Sequence, residues 1–179
     1  MLPTSLLECT PSGLRERILT ALLLFFTFTG TALADPDCLE KKNKLAINNA
    51  QVIQWEKSTP NAFRARGYVT GPISRVFPPR NNHDHFEIRL GNGTGEVLEV
   101  VFSRDFGTLP DLKEGMIVTA CGDYITSTAQ TGAYPPSPSG AIIHWIHYNP
   151  GGRDRSHEHG FTIVDGKLYG YDPAYKPTP

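Results

Sequence analysis

The feature that most limits how this chain can fold is a series of short strand-like segments separated by glycine-, proline- and asparagine-rich turns. The segments are rich in β-branched and aromatic residues and are too often interrupted to form long helices. The turns include "PPRNN" at 78–82 and "GNGTG" at 91–95, and Asp165-Gly166 predicts a tight terminal hairpin. We therefore expect a mostly β protein. The predicted strand segments are 63–77, 83–90, 96–103, 111–125 and 140–150, with the hairpin at 161–171.

The positions of glycines in these segments favour one architecture, a single small OB-fold-like barrel with a short N-terminal helix. Glycine lets a strand coil strongly enough to take part in both halves of a small barrel. We assign residues 61–171 to this barrel domain, and the alternative is another small β-barrel or a sandwich. The pattern consists of Gly67 and Gly71 in the first segment and of Leu112, Gly115, Val118 and Gly122 in an L-x-x-G-x-x-V-x-x-x-G run in the fourth.

Outside the barrel strands, the sequence predicts a helix, a loop and a tail. Residues 37–55 suit a short amphipathic helix that ends before Pro60, within an N-terminal helical segment at 35–60. Residues 126–140, "TSTAQTGAYPPSPSG", are too rich in Pro, Ser, Thr and Gly for regular structure. Residues 172–179 are expected to be a flexible tail.

The first 34 residues have the pattern of a secretory signal peptide. Arg15 and Arg17 precede an apolar run at 18–29, and the small residues that follow end in Ala-Leu-Ala at 32–34. A membrane anchor is the alternative, although about a dozen apolar residues are too few to cross a bilayer comfortably. The signal predicts a periplasmic or secreted protein that is cleaved after Ala34 and keeps no stable membrane span.

Two cysteines, Cys38 and Cys121, remain after the predicted cleavage. An even pair in an exported chain predicts one disulfide, which would join the N-terminal segment to a barrel strand. Two unpaired thiols are the alternative. Neither cysteine has the C-x-x-C spacing of a redox or zinc site.

All six histidines occur in pairs, and each pair taken singly has an ordinary structural explanation. Strand alternation places Phe86 and Ile88 in the core, so His83 and His85 are expected to point outward. His144 and His147 have an odd separation and would lie on opposite faces of an unbroken strand, unless a bulge or the strand end brings His147 round. The third pair, His157 and His159, lies in a polar loop.

Together, these histidines indicate a site. Three or more imidazoles with carboxylates such as Asp84, Asp154 or Glu158 could hold zinc or another divalent transition metal. The same imidazoles could exchange protons without a metal and cleave phosphodiesters. An arginine would then stabilise the developing charge, and the candidates are Arg75, Arg80 and Arg153, with Arg64 and Arg66 in the same local patch.

Composition and missing motifs exclude several other classes. The net charge of −1 gives no electrostatic footprint for long nucleic acids. The sequence also lacks H-E-x-x-H, G-x-S-x-G and glycine-rich phosphate-loop motifs, which leaves protease, α/β-hydrolase and nucleotide-binding functions without support.

Four stretches resemble a domain-of-unknown-function family of short exported bacterial proteins. They are His83 to Phe86, "EGMIVTACGDY" at 114–124, "IHWIHYNP" at 143–150, and His157 through "EHGF", and the similarity covers about residues 63–170. The family pattern is H-x-x-F, G-D-x-V-x-x-x-G-E-Y, G-G-x-I-H-W-T-H-H-D-P and H-x-x-G-W. The resemblance implies that the functional residues are His83, His144, Trp145, His147, His157 and Gly160.

The chain departs from the family pattern at three positions. Tyr148 stands for histidine, Asn149 for aspartate and Phe161 for tryptophan, and about twelve residues around 135–138 look inserted. No activity is established for the family, so the resemblance implies site residues but no reaction. An amide at 149 would weaken any metal ligation or histidine orientation that the family's aspartate supplies.

The leading hypothesis is an exported hydrolase of phosphodiesters or nucleic acid. His83, His144, His147 and His157 would be catalytic or would bind a metal, while Trp145 and Asn149 would contact the substrate. The alternative is a non-catalytic binding module of the cell envelope for a glycan, an oligonucleotide or a protein. In a third interpretation the histidines only stabilise the barrel, and the Pro-rich insert is the interaction surface.

Overall fold

The computed structural model describes residues 35–151 and 157–174. The predicted signal peptide, the candidate residues Arg153 and Asp154, and most of the predicted tail lie outside these residues. None of the helices in the described ranges is long and apolar enough to cross a membrane.

The described chain is mostly β, as predicted, with one α-helix and one short 3-10 helix at Arg104–Phe106. In chain order the elements are β1 (Leu39–Glu40), β2 (Asn43–Lys44), α1 (Asn49–Ser58), β3 (Arg64–Arg80), β4 (His83–Arg89), β5 (Val97–Ser103), β6 (Ile117–Thr126), β7 (Ala141–His144), β8 (Phe161–Val164) and β9 (Lys167–Tyr169).

Seven strands form one sheet in the order β3-β4-β5-β7-β6-β8-β9, and β3 also pairs with β6. The 17-residue strand β3 can do this because its first half, to Pro72, pairs with β6, and its second half, from Ile73, pairs with β4. The change of partner falls beside Gly71, where a Cβ would lie 1.9 Å from the carbonyl oxygen of Arg89. Glycine is therefore required at that crossing. The pair β5–β7 is parallel, and the other pairs are antiparallel.

The core is formed by the inward-facing side chains of this sheet. Phe86 and Ile88 of β4 are fully buried, which confirms the predicted alternation of that strand. Each fully buried side chain of this size contributes about 1.5–3 kcal/mol relative to an exposed one. Trp55 of α1 packs against the same core, with its ring centroid 5.4 Å from that of Tyr124 of β6.

The prediction of a helix over 37–55 is wrong at its start, because α1 begins only at Asn49. Residues 39–44 form the small β1–β2 hairpin instead, with Lys41 and Lys42 in the left-handed region at its turn. The side chains of Asn48 and Asn49 then form hydrogen bonds with the backbone of β3. Asn48 Oδ1 accepts from the backbone N–H of Tyr68 at 2.8 Å, and Asn49 Nδ2 donates to the carbonyl of Thr70 at 2.7 Å. These bonds fix the point at which the helix starts.

The predicted disulfide is present between Cys38 and Cys121, with an S–S distance of 2.01 Å. Both cysteines are buried and pack with Phe161 in a small apolar cluster of their own. The bond ties the segment before α1 to the middle of β6.

Candidate functional site

Strand β7 ends at His144, earlier than the predicted 140–150, because the backbone turns at the next residue. Trp145 has φ = +51°, a left-handed conformation that a bulky residue rarely adopts. This turn breaks the strict alternation of side chains after His144. The alternation that would place His144 and His147 on opposite faces of an unbroken strand therefore does not apply to them.

The four histidines selected by the family resemblance come together in the structure and are called here the imidazole cluster: His83, His144, His147 and His157. The ring centroids of His83 and His144 are 5.3 Å apart, and those of His147 and His157 are 5.1 Å apart. Trp145 contacts both pairs, with its centroid 4.8 Å from that of His144 and 5.6 Å from that of His157. In the segment "IHWIH", Trp145 thus lies between the two imidazole pairs.

Three rings of the cluster are oriented by hydrogen bonds to backbone carbonyl oxygens. The Nδ1 atoms of His83, His147 and His157 lie 2.6, 2.8 and 2.8 Å from the carbonyls of Asn81, Tyr148 and Glu158. A carbonyl only accepts, so Nδ1 carries the proton, and in the neutral ring Nε2 keeps its lone pair. His144 differs, because its Nε2 is buried and has no hydrogen-bond partner among the described residues.

The environment keeps part of the cluster uncharged. Burial, together with the neighbouring imidazoles, lowers the pKa of His144 to about 3. Burial also lowers the pKa of His147 to about 4, and it lowers the pKa of His157. These three rings are therefore neutral near pH 7.

His85 was expected to point outward, but it is buried with only 6% of its surface exposed. Its Nδ1 lies 2.7 Å from Oε1 of Glu99, which is fully buried on β5. The expectation failed because residues 127–140, called here the insert, cover this face of the sheet. Ser137 of the insert donates to Glu99 Oε2 at 2.5 Å, and Ser139 donates to Glu87 Oε2 at 2.8 Å.

Glu99 is a buried carboxylate that accepts hydrogen bonds from several side chains. Besides His85 and Ser137, Arg80 donates from Nη2 to Oε1 at 2.9 Å. Burial alone would raise the pKa of Glu99, but the bonds from His85 and Ser137 and the charge of Arg80 hold this pKa below its usual value. Sequence reasoning missed Glu99 as a site residue, although a single carboxylate in the apolar strand "VLEVVF" was a visible signal.

A cavity of about 420 Å³ lies beside the His83–His144 pair. The insert forms one wall, where the phenol ring of Tyr134 is 71% exposed. The cavity is also lined by three histidines, two arginines and a tryptophan, namely His83, His85, His144, Arg64, Arg80 and Trp145. Arg64 also lies over the Trp145 ring, with Cζ 5.0 Å from the ring centroid.

Asn149, predicted to contact substrate, has a different position. It is buried, and its Nδ2 donates to the carbonyl of His157 at 2.6 Å, while its Oδ1 accepts from the backbone N–H of Gly151 at 3.1 Å. Neither Asn149 nor the His147–His157 pair is among the described residues that line the cavity. The structure thus places Asn149 as a support for the backbone of His157.

Gly160, which the resemblance added to the set, supports the same region. A Cβ there would lie 2.2 Å from the carbonyl oxygen of Trp145 and 2.5 Å from that of Cys121. His159, which the resemblance did not select, stacks on Tyr148 with centroids 4.1 Å apart and does not line the cavity formed by the described residues.

The carboxylates proposed as metal partners are engaged elsewhere where the structure describes them. Asp84 binds Arg104 at 2.5 Å, and Glu158 Oε1 accepts from the backbone N–H of Lys41 at 2.6 Å. Across residues 35–151 and 157–174, no three His, Cys, Asp or Glu side chains are grouped so that they could hold one metal ion. Of the proposed arginines, Arg75 lies over Phe77 with Cζ 5.2 Å from the ring centroid, whereas Arg80 lines the cavity.

A scan against protein-family models matches no family, and a search of curated proteins finds no match.

Proposed function

We propose that the chain is an exported protein with an OB-type barrel whose cavity binds and hydrolyses phosphodiesters. The barrel is supported by the strand pairings, which run β3-β4-β5-β7-β6 and return to β3. Five strands in a closed circuit with an antiparallel majority fit a small Greek-key barrel. A periplasmic or secreted location is supported by the Cys38–Cys121 disulfide, since such bonds persist in oxidising compartments.

The observation that carries the activity is the composition of the cavity wall. Imidazoles of His83, His85 and His144 lie there together with the guanidinium groups of Arg64 and Arg80. Guanidinium groups bind phosphate oxygens and stabilise charge that develops on them during cleavage. An imidazole within reach of the same anion can transfer protons or, where it stays neutral as that of His144 does, can hydrogen-bond the ligand.

The aromatic groups of the cavity favour a nucleic-acid ligand among phosphodiesters. Tyr134 on the insert, which is 71% exposed, offers an aromatic face for a nucleobase, and Trp145 lines the same cavity with Arg64 over its ring. Base stacking on aromatic side chains contributes about 1–3 kcal/mol per base in single-strand binding. The net charge of −1 and the volume of about 420 Å³ favour one or two nucleotides over a long strand.

A metal-bound cluster is a second candidate, and the orientation of the rings favours it. A ligand histidine usually donates its other ring N–H to a carbonyl or carboxylate, as His83, His147 and His157 do. As placed, however, the described side chains form no set of three ligands. An ion would need at least one ring to rotate, so we derive no catalytic step through a metal.

A non-catalytic binding module is the third candidate. The pKa values of His144 and His147, about 3 and about 4, make these two rings weak proton acceptors. They could then hold a ligand by hydrogen bonds without chemistry.

One set of measurements separates these candidates. Hydrolysis of short single-stranded RNA and DNA and of bis(p-nitrophenyl) phosphate is measured for the purified protein, for His144→Ala and for the control His159→Gln. We expect activity that is lost in His144→Ala, kept in the control and unaffected by chelator. Activity that disappears with chelator, with about one bound metal equivalent, would favour the metal. Oligonucleotide binding without hydrolysis would favour the binding module.

A further inference from the structure

His85 and Glu99 form a histidine–carboxylate pair that is separate from the imidazole cluster. Glu99 Oε1 lies 2.7 Å from Nδ1 of His85, so the carboxylate fixes the tautomer in which Nδ1 carries the proton. Nε2 is then the basic atom of the ring. Such a pair is the proton-accepting unit of many hydrolytic sites.

The basic atom of His85 has access to the cavity. The ring lines the cavity, and its Nε2 has no hydrogen-bond partner and is not fully covered in the part of the chain that the structure describes. The centroid of His83 is 6.2 Å away, so a small substrate group or a water molecule could lie near both rings.

The carboxylate is held so that its orientation does not depend on His85. Arg80 donates to Oε1 at 2.9 Å and Ser137 donates to Oε2 at 2.5 Å. Glu99 is fully buried, and a buried carboxylate of this kind is costly unless it is well paired. Purely structural pairing would not require an imidazole with one nitrogen left open to the cavity.

We propose that His85 is the general base of the site and that Glu99 is its positioning residue. The inference rests on the proposed hydrolysis of phosphodiesters. Nε2 of His85 takes a proton from water as the water oxygen bonds to phosphorus. The bond from phosphorus to the leaving oxygen breaks, and this oxygen receives a proton from protonated His83. A proton then returns from His85 to His83 through solvent, which completes the cycle.

Among the described residues, the charged and titratable groups near His85 include Glu99 on β5, Arg80 on β3, His83 on its own strand and His144 on β7. Glutamine keeps the size of Glu99 but not its charge, so it holds the Nδ1–H tautomer and the orientation of His85 less firmly. The loss should therefore fall on kcat and leave KM within about twofold of wild type, a split that a general loss of packing would not produce.

The test compares wild type, His85→Gln, Glu99→Gln and the control His159→Gln on bis(p-nitrophenyl) phosphate and a dinucleotide across pH 4–9. We expect a loss of about 100-fold or more in kcat for His85→Gln. For Glu99→Gln we expect at least a tenfold loss in kcat with KM nearly unchanged. The control should keep its activity, and circular dichroism checks that each variant is folded.

Different results overturn different claims. A folded His85→Gln that keeps activity within threefold of wild type refutes the general base and leaves the hydrolase standing. If wild type cleaves neither substrate, the proposed function fails and the general base fails with it. If His85→Gln does not fold, wild type is treated with diethyl pyrocarbonate and mapped by mass spectrometry. Inactivation that follows modification of His85 supports the proposal, and full modification with retained activity overturns it.

Discussion

Removing the Cys38–Cys121 disulfide should lower the free energy of unfolding of the domain by an amount that follows from the position of the bond in the chain. The two cysteines are 83 residues apart in sequence. In the chain-entropy treatment, closing a loop of this length lowers the entropy of the unfolded chain. This raises the free energy of unfolding by about 4.5 kcal/mol at 25 °C. The two cysteines are buried. When the bond between them is removed, the unfolded chain is no longer held in a closed loop and regains this entropy.

Urea unfolding, followed by tryptophan fluorescence, measures the effect. For an m value of about 1–3 kcal/mol/M, the midpoint of Cys38→Ala/Cys121→Ala should fall by about 1.5–4.5 M. The melting temperature should fall by about 10–15 °C for a domain of this size. The wild type reduced with dithiothreitol is the matched control, because it keeps both sulfur atoms and leaves no cavity.

The reduced wild type and the double alanine variant should lose the same free energy of unfolding within about 1 kcal/mol, if chain entropy is the main contribution. A reduced wild type that loses less than about 1 kcal/mol would refute the reasoning. A double alanine variant much less stable than the reduced protein would show instead that packing of the sulfur atoms dominates.

Three further predictions follow from single positions. Burial raises the pKa of Glu56 to about 8, and both of its oxygens lack a partner in the described chain. The fold therefore favours the protonated acid, so its contribution is complete below pH 4.5 and is lost as pH rises through about 8. Glu56→Gln should leave melting at pH 4 unchanged and raise stability at pH 9 by about 1–2 kcal/mol, after allowance for solvent screening. Gly160→Ala should lower the free energy of unfolding by about 3 kcal/mol or more, and the melting temperature with it, since its Cβ would meet the Trp145 carbonyl at 2.2 Å. When the full sequence is expressed in a bacterium, intact-mass analysis of the periplasmic fraction should show a chain that begins at Asp35, as the predicted signal cleavage after Ala34 requires.

Local patterns predicted the strands well because each is marked by its own residues and turns. The terminal hairpin forms at Asp165-Gly166, and Phe86 and Ile88 face the core. The disulfide was predictable from the even pair of cysteines that remains after the predicted signal cleavage. These features depend on residues close together in sequence or on simple chemistry.

The errors came from contacts between distant segments. The start of α1 is set by Asn48 and Asn49 binding the backbone of β3, which no helical periodicity shows. The burial of His85 depends on the insert, whose Ser137 lies 38 positions from Glu99. A parity argument assigns a residue to a face but does not show what covers that face.

The backbone around "IHWIH" explains why the imidazole cluster lies at the end of β7. A Cβ on Gly122 would lie 2.4 Å from the carbonyl oxygen of His144, and one on Gly160 would lie 2.2 Å from that of Trp145. The two glycines thus allow β6 and the segment before β8 to hold these carbonyls closely on both sides. A left-handed conformation at a tryptophan costs about 1–3 kcal/mol and persists only where surrounding contacts impose it. Because the turn at Trp145 changes the direction of the chain, it places His144 against His83 while His147 meets His157. The strained residue therefore lies where both imidazole pairs are oriented, which is the arrangement expected of a functional site rather than of packing alone.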